Sequence, residues 1–226
     1  MAKVSGFDGR TSRGGRLIWS LTLILVAIGL LAVAQATFVL FNPPQGPPRF
    51  AAAAAMDAGF AKHTTLTLAH ILPAGVFMVL MPLQFAQRIR DRHIGWHRWS
   101  GRFLVVLGVI VGVSALLLSY RTPIGGANET AATIFFAVLF LVFLGLGFWN
   151  IRRHRVAQHR EWMIRAFGVV LGIATTRPIV AVFFVVSRLS PREFFGTAFW
   201  LGFSLTLLVA EAWVQSTRKF AGPEYF

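Results

Sequence analysis

Residues 159–186 read HREWMIRAFGVVLGIATTRPIVAVFFVV. From Met163 to Val186 the charged residues are Arg165 and Arg177. At about 1.5 Å per residue such a run spans about 30 Å of hydrocarbon as a helix. Lipid cannot hydrogen-bond a backbone, and the stretch shows no period-two alternation, so it reads as a helix and not a barrel strand.

Five further runs have the same character, at Leu17–Phe41, Leu66–Gln87, Phe103–Tyr120, Ala131–Trp149 and Phe195–Val214. Apolar residues make up 56% of the 226 and charged ones 13%, about half the charge of an ordinary soluble domain. This excludes a soluble globular domain and a disordered chain. The fold class is therefore all-α: a polytopic membrane protein with six transmembrane helices, forming a single integral membrane domain over residues 1–226 with a cytoplasmic tail at 1–16. The absence of cysteine excludes disulfides, thiolate metal sites and thiol nucleophiles.

A net charge of +14 would suggest nucleic acid in a soluble protein. Here sixteen of the 22 basic residues lie in the N-terminal tail, in the loops after the second and fourth spans and in the C-terminal tail; five lie on the opposite side. That asymmetry puts both termini in the cytoplasm, N-in and C-in, and accounts for the charge without a nucleic-acid partner. Arg10 to Arg16, an apolar run and Ala34-Gln35-Ala36 also have the outline of a signal peptide. The run continues to Phe41 before Asn42-Pro43-Pro44 ends it, which favours a retained span. The segment from Pro43 to Lys62, with a run of five alanines followed by Met56, reads as a short helix on the membrane surface.

The two large basic loops resemble each other. Arg92-His93, then His97-Arg98-Trp99 with Arg102, leads into Val105-Val106-Leu107-Gly108; Arg153-His154, then His159-Arg160-Glu161-Trp162 with Arg165, leads into Val169-Val170-Leu171-Gly172. We read spans two to five, residues 63–185, as two similar hairpins forming a central four-helix bundle about a parallel pseudo-two-fold axis. Spans one and six flank it. Gly108-x-x-x-Gly112 and Gly168-x-x-x-Gly172 allow close backbone approach, and Phe135-Phe136 and Phe183-Phe184 read as packing or lipid-facing residues.

Polar residues inside spans carry the functional signal, because a charge at mid-helix costs at least about 2.5–3.5 kcal/mol. His70 lies in the second span, seven residues after His63, and Arg177 lies in the fifth. Pro73 and Pro178 release the carbonyls of Ala69 and Ala174 close to them. His70 and Arg177 are thus expected to line a buried polar site; the competing reading makes Arg177 a clamp on freed carbonyls and threonine hydroxyls. His97 and His159 occupy equivalent places in the two repeats. Two neutral imidazoles on facing helices are the ligand set of a b-type haem iron, with Arg98, Arg102, Arg160 and Arg165 suited to its propionates. The competing reading is an interfacial anchor, each histidine preceding the tryptophan that opens its helix, Trp99 or Trp162. Walker, Rossmann and His-Glu-x-x-His patterns are absent, and Glu211 reads as an interface residue. His93 and His97 form an i, i+4 pair, but in an arginine-rich loop that repels zinc.

On these residues the chain resembles a family of bacterial multi-span membrane proteins known only as a domain of unknown function. The match covers roughly residues 63–185 and rests on His70 and Gln84, His97-Arg98 with Gly101, and His159 to Arg165 with Arg177 one span onward. More loosely, the core is similar to the four-helix haem-binding bundles of cytochrome b561 and ferric-reductase-like proteins. It departs from their two-haem pattern, because the outer half carries histidine on one helix alone. The resemblance implies a bacterial inner (plasma) membrane. The leading expectation is a redox protein binding haem b or quinone through His97 and His159, or His70. The alternatives are a non-enzymatic accessory subunit of a membrane complex, binding lipid or a partner, and a small transporter using His70, Arg177 and Glu211.

Overall fold

A computed structural model describes residues 13–43 and 60–219. Its elements are the helices α1 (Arg13–Phe41), α2 (Thr64–Gln84), α3 (Gln87–Arg92), α4 (Ile94–Arg121), α5 (Gly126–Arg152), α6 (Val156–Val186) and α7 (Pro191–Lys219). All but the short α3 are long and apolar enough to cross a membrane. Of the expected surface helix, residues 44–59 lie outside the described residues, as does most of the N-terminal tail.

α2, α4, α5 and α6 form the expected four-helix core, with α2 on α4, α4 on α5 and α5 on α6. The fourth seam departs from the expected two-fold. α2 barely touches α6, and α1 packs on both, covering the gap. Gly29 admits the Met78 side chain and faces Ala174, and Gly75 receives Val33, so small residues let α1 settle there. α7 lies outside the core against α5 and α6. Gly108 and Gly112 bring α4 against Leu144 and Leu141 of α5, whereas Gly168 and Gly172 bring α6 against Ala210 and Phe203 of α7, outside the bundle. Phe136 is buried against Trp200 and Phe203, and Phe183 stacks on Phe194, as packing residues do.

The centre is an apolar plug. Phe77 meets Phe140 edge-on at 5.8 Å, and Met81, Leu104, Leu144, Met163 and Phe167 fill the space around them. Outward-facing residues such as Leu31, Phe38, Val106 and Leu208 are exposed, the belt a bilayer would cover.

Helix boundaries differ from those expected in one informative way. The spans expected to open near Phe103 and Met163 begin at Ile94 and Val156. The tryptophans therefore do not open their helices, and both histidines lie inside them. The arginine-rich turns remain helical because their charges are solvated beyond the hydrocarbon: the 28-residue α4 is about 42 Å long against about 30 Å of apolar core. Pro73, Pro82 and Pro178 are accommodated within continuous helices.

Candidate functional site

His97 and His159 stand in the same register. The N–H of His97 bonds the carbonyl of His93 and that of His159 bonds the carbonyl of Arg155, in each case the residue capping the helix. Each histidine is therefore the fourth residue of its helix, and the sequence repeat is a structural repeat at this level. It fails one turn earlier, where His154 takes a left-handed φ of 61° while His93 stays at −134°.

The geometry of His159 fixes its proton. Nδ1 lies 2.9 Å from the backbone carbonyl of Gly147 on α5. A carbonyl only accepts, so Nδ1 carries the hydrogen and Nε2 keeps its lone pair, the tautomer in which metal-ligating histidines are held. His97 differs: its Nδ1 is buried and is the one buried side-chain polar atom without a hydrogen-bond partner among the described residues. The charges of His159, Arg90 and Arg98 bear on His97, and those of Arg90 and Glu161 on Arg160, so α3, α4 and α6 converge here. α4 and α6 are diagonal in the core and form no packed seam.

The surroundings tie the helix ends together. Gln84 Nε2 donates to Ser100 Oγ at 2.8 Å, and Ser100 Oγ donates to the Trp96 carbonyl at 2.6 Å, fixing the end of α2 to the start of α4. Arg165 is held differently from expectation. Its Nε donates to Glu211 at 2.7 Å and Nη2 at 3.2 Å, Glu161 lies 3.7 Å away, and its guanidinium rests over Trp162. Arg165 thus fastens α6 to α7, and Glu211 is its partner. Arg218 donates to both carboxylate oxygens of Glu161, completing a four-residue ion cluster. Arg98 is exposed; Arg160, half-buried, makes no hydrogen bond or ion pair among the described residues.

His70 and Arg177 occupy the other end of the bundle. His70 lies on the α2 stripe that also carries Phe77 and Gln84 at seven-residue intervals. Its Nδ1 is 3.0 Å from Ser114 Oγ and 3.2 Å from the Val111 carbonyl, so this nitrogen too donates and Nε2 is uncommitted. The partners are on α4. Arg177 is not joined to His70: its side chain is exposed and makes no hydrogen bond or ion pair among the described residues. The clamp of the competing reading is not formed on the threonine hydroxyls, since Thr175 and Thr176 donate to the Leu171 and Gly172 carbonyls.

Ser114, Ser100, Arg90 and the Gly147 carbonyl escaped the sequence reading. Ser100 and Ser114 were detectable in principle, because a hydroxyl on an apolar helix needs a partner; the role of a carbonyl has no sequence signature. No group of three or more histidine, aspartate or glutamate side chains poised to hold a bare metal ion occurs among the described residues.

A family model described as "Predicted membrane protein (DUF2306)" matches residues 67–214, well over half of the chain, including His70, His97, His159, Arg165 and Arg177. No curated protein and no solved structure matches it.

Proposed function

The chain belongs to the membrane-protein family DUF2306, whose description names no activity; from the geometry of its histidines we propose that it is an electron-transfer protein in which His97 and His159 hold a b-type haem. In this reading the site lies at the cytoplasmic face of a bacterial inner membrane. The observation that carries it is the buried, unpartnered Nδ1 of His97, within electrostatic reach of a histidine whose Nε2 lone pair is already turned free.

The residues fit such a group on three counts. The two imidazoles stand in equal register on diagonal helices that share no packed seam, so a group held between them would break none. The local charge suits a porphyrin better than a bare cation, because Arg90, Arg98 and Arg160 repel a dication and attract propionates. The apolar plug of Phe77, Met81, Leu104 and Leu144 separates this layer from the opposite end and excludes water.

A bound haem supplies a one-electron couple. The chain does the rest. The Gly147 carbonyl holds the His159 ring and raises the basicity of Nε2. The Gln84–Ser100 bond and the Arg165–Glu211 pair hold the ends of α4 and α6, so the two imidazoles keep their separation. Arg98 and Arg160 compensate acidic groups at the water-facing edge.

The test is the absorbance of protein purified from haem-replete cells. A Soret band that sharpens on dithionite reduction supports the reading. Colourless protein contradicts it.

A further inference from the structure

The loops opposite the His97–His159 layer carry five of the 22 basic residues, and the charge asymmetry that orients a membrane protein gives basic residues no role there. Two of the five nevertheless come together. Lys62, just before α2, and Arg121, the last residue of α4, line one open cavity of about 420 Å³ with His63, Thr64, Thr65 and Leu66. They meet because α2 and α4 run antiparallel, as the Gln84–Ser100 and His70–Ser114 bonds require, so the start of one helix lies beside the end of the other.

Among the described residues neither cation is neutralised. Lys62 and Arg121 are exposed and make no hydrogen bond or ion pair there. The described carboxylates at this end are engaged elsewhere: Glu129 accepts from the Gly125 N–H at 2.6 Å, and Glu193 accepts from the N–H and hydroxyl of Ser190 at 2.7 Å. Thr64 donates its hydroxyl to the Ala61 carbonyl at 2.6 Å, whereas the Thr65 hydroxyl is uncommitted among the described residues. The ring of His63, which caps α2, makes no bond to the first turn.

An ammonium, a guanidinium, an imidazole and a hydroxyl therefore border one hollow, and Leu66 is the one apolar residue in its lining. Its volume falls within the roughly 300–1,000 Å³ of small-molecule sites, and unpaired cations around a concave opening concentrate anions. Donors brought to a hollow by two helices suit a tetrahedral anion, whose oxygens point in several directions, better than the flat oxygen pair of a carboxylate.

We propose that this cavity binds a phosphate group. The Arg121 guanidinium takes two of its oxygens and the Lys62 ammonium a third, while His63 and Thr65 donate from the wall. The phosphate belongs to a soluble phosphate ester or to the headgroup of an anionic phospholipid, and the two offer the same recognition chemistry. The site lies at the other end of the bundle from His97 and His159 and does not depend on the haem reading.

The experiment uses the full chain in phosphatidylcholine nanodiscs, titrated calorimetrically with glycerol 3-phosphate. A parallel arm uses nanodiscs enriched in phosphatidylglycerol, with retained lipid read by native mass spectrometry. Saturable binding of glycerol 3-phosphate identifies a soluble ligand; selective retention of phosphatidylglycerol identifies the headgroup. Lys62→Gln and Arg121→Gln, both at exposed positions, are each expected to weaken whichever is seen at least about tenfold, equivalent to about 1.4 kcal/mol. Arg188→Gln, in the loop between α6 and α7 and outside the cavity lining, is expected to leave it unchanged. Absence of both kinds of binding, binding that Lys62→Gln or Arg121→Gln leaves unaltered, or an equal loss in Arg188→Gln overturns the proposal.

Discussion

His159 shows how much of the proposed chemistry rests on single atoms. Its Nδ1–H is spent on Gly147, so one nitrogen holds the ring and the other is available. His159→Gln offers an amide in place of that donor and no imidazole. It should therefore leave thermal unfolding of the haem-free protein nearly unchanged while abolishing haem retention, a split read by calorimetry and by absorbance. Arg177 makes the opposite prediction. An uncompensated charge in a span is a stability cost, so Arg177→Leu should raise the unfolding midpoint by an amount equivalent to about 1–3 kcal/mol in detergent without added anion. An unchanged or lowered midpoint would mean that Arg177 is compensated. Arg177 was legible in the sequence because titratable groups are rare in apolar runs, and His159 because the two basic loops repeat. The Gly147 carbonyl that holds His159, and Ser114 that holds His70, were not, since they show their roles only once α5 meets α6 and α2 meets α4.

At the scale of elements, glycine sets which helices approach. Gly202 on α7 faces α6 so closely that an added Cβ would lie 2.9 Å from the backbone nitrogen of Thr176. The obstacle is backbone, which cannot rotate aside. Gly202→Ala should force α7 away from α6 and destabilise by about 1–3 kcal/mol, measured as a lowered midpoint in thermal or denaturant unfolding. The equivalent change at Gly145, which has open space, should be tolerated. The sequence motif at Gly168 and Gly172 announced a close contact but not its partner. Spacing alone cannot say whether the facing helix is inside or outside a bundle. Helix starts were misplaced for a related reason: hydropathy marks the hydrocarbon boundary, whereas α4 and α6 continue beyond it into arginine-rich turns.

For the whole molecule, the repeat accounts for the register of His97 and His159 but not for the arrangement around them. Exact two-fold symmetry would match the α4–α5 seam with an equal seam between α6 and α2. α1 takes that place, and its small-residue contacts at Gly29 and Gly75 distinguish the two halves. The six crossings and their core were readable from apolar length and charge. The asymmetry was not, because α1 carries few features beyond hydrophobicity. Orientation is directly testable, since the chain has no cysteine and needs no engineered background. In right-side-out vesicles, Arg188→Cys should react with a membrane-impermeant maleimide and Arg92→Cys only after lysis. The reverse pattern would place the His97–His159 layer on the outer face.

The central claim is that one iron is shared by imidazoles from α4 and α6. Electron paramagnetic resonance of the oxidised, purified protein tests it most directly. The account predicts a low-spin ferric haem signal in the wild type that is lost or converted to high spin in both His97→Ala and His159→Ala. A protein without a ferric haem signal, or a low-spin signal that survives either substitution, would contradict it.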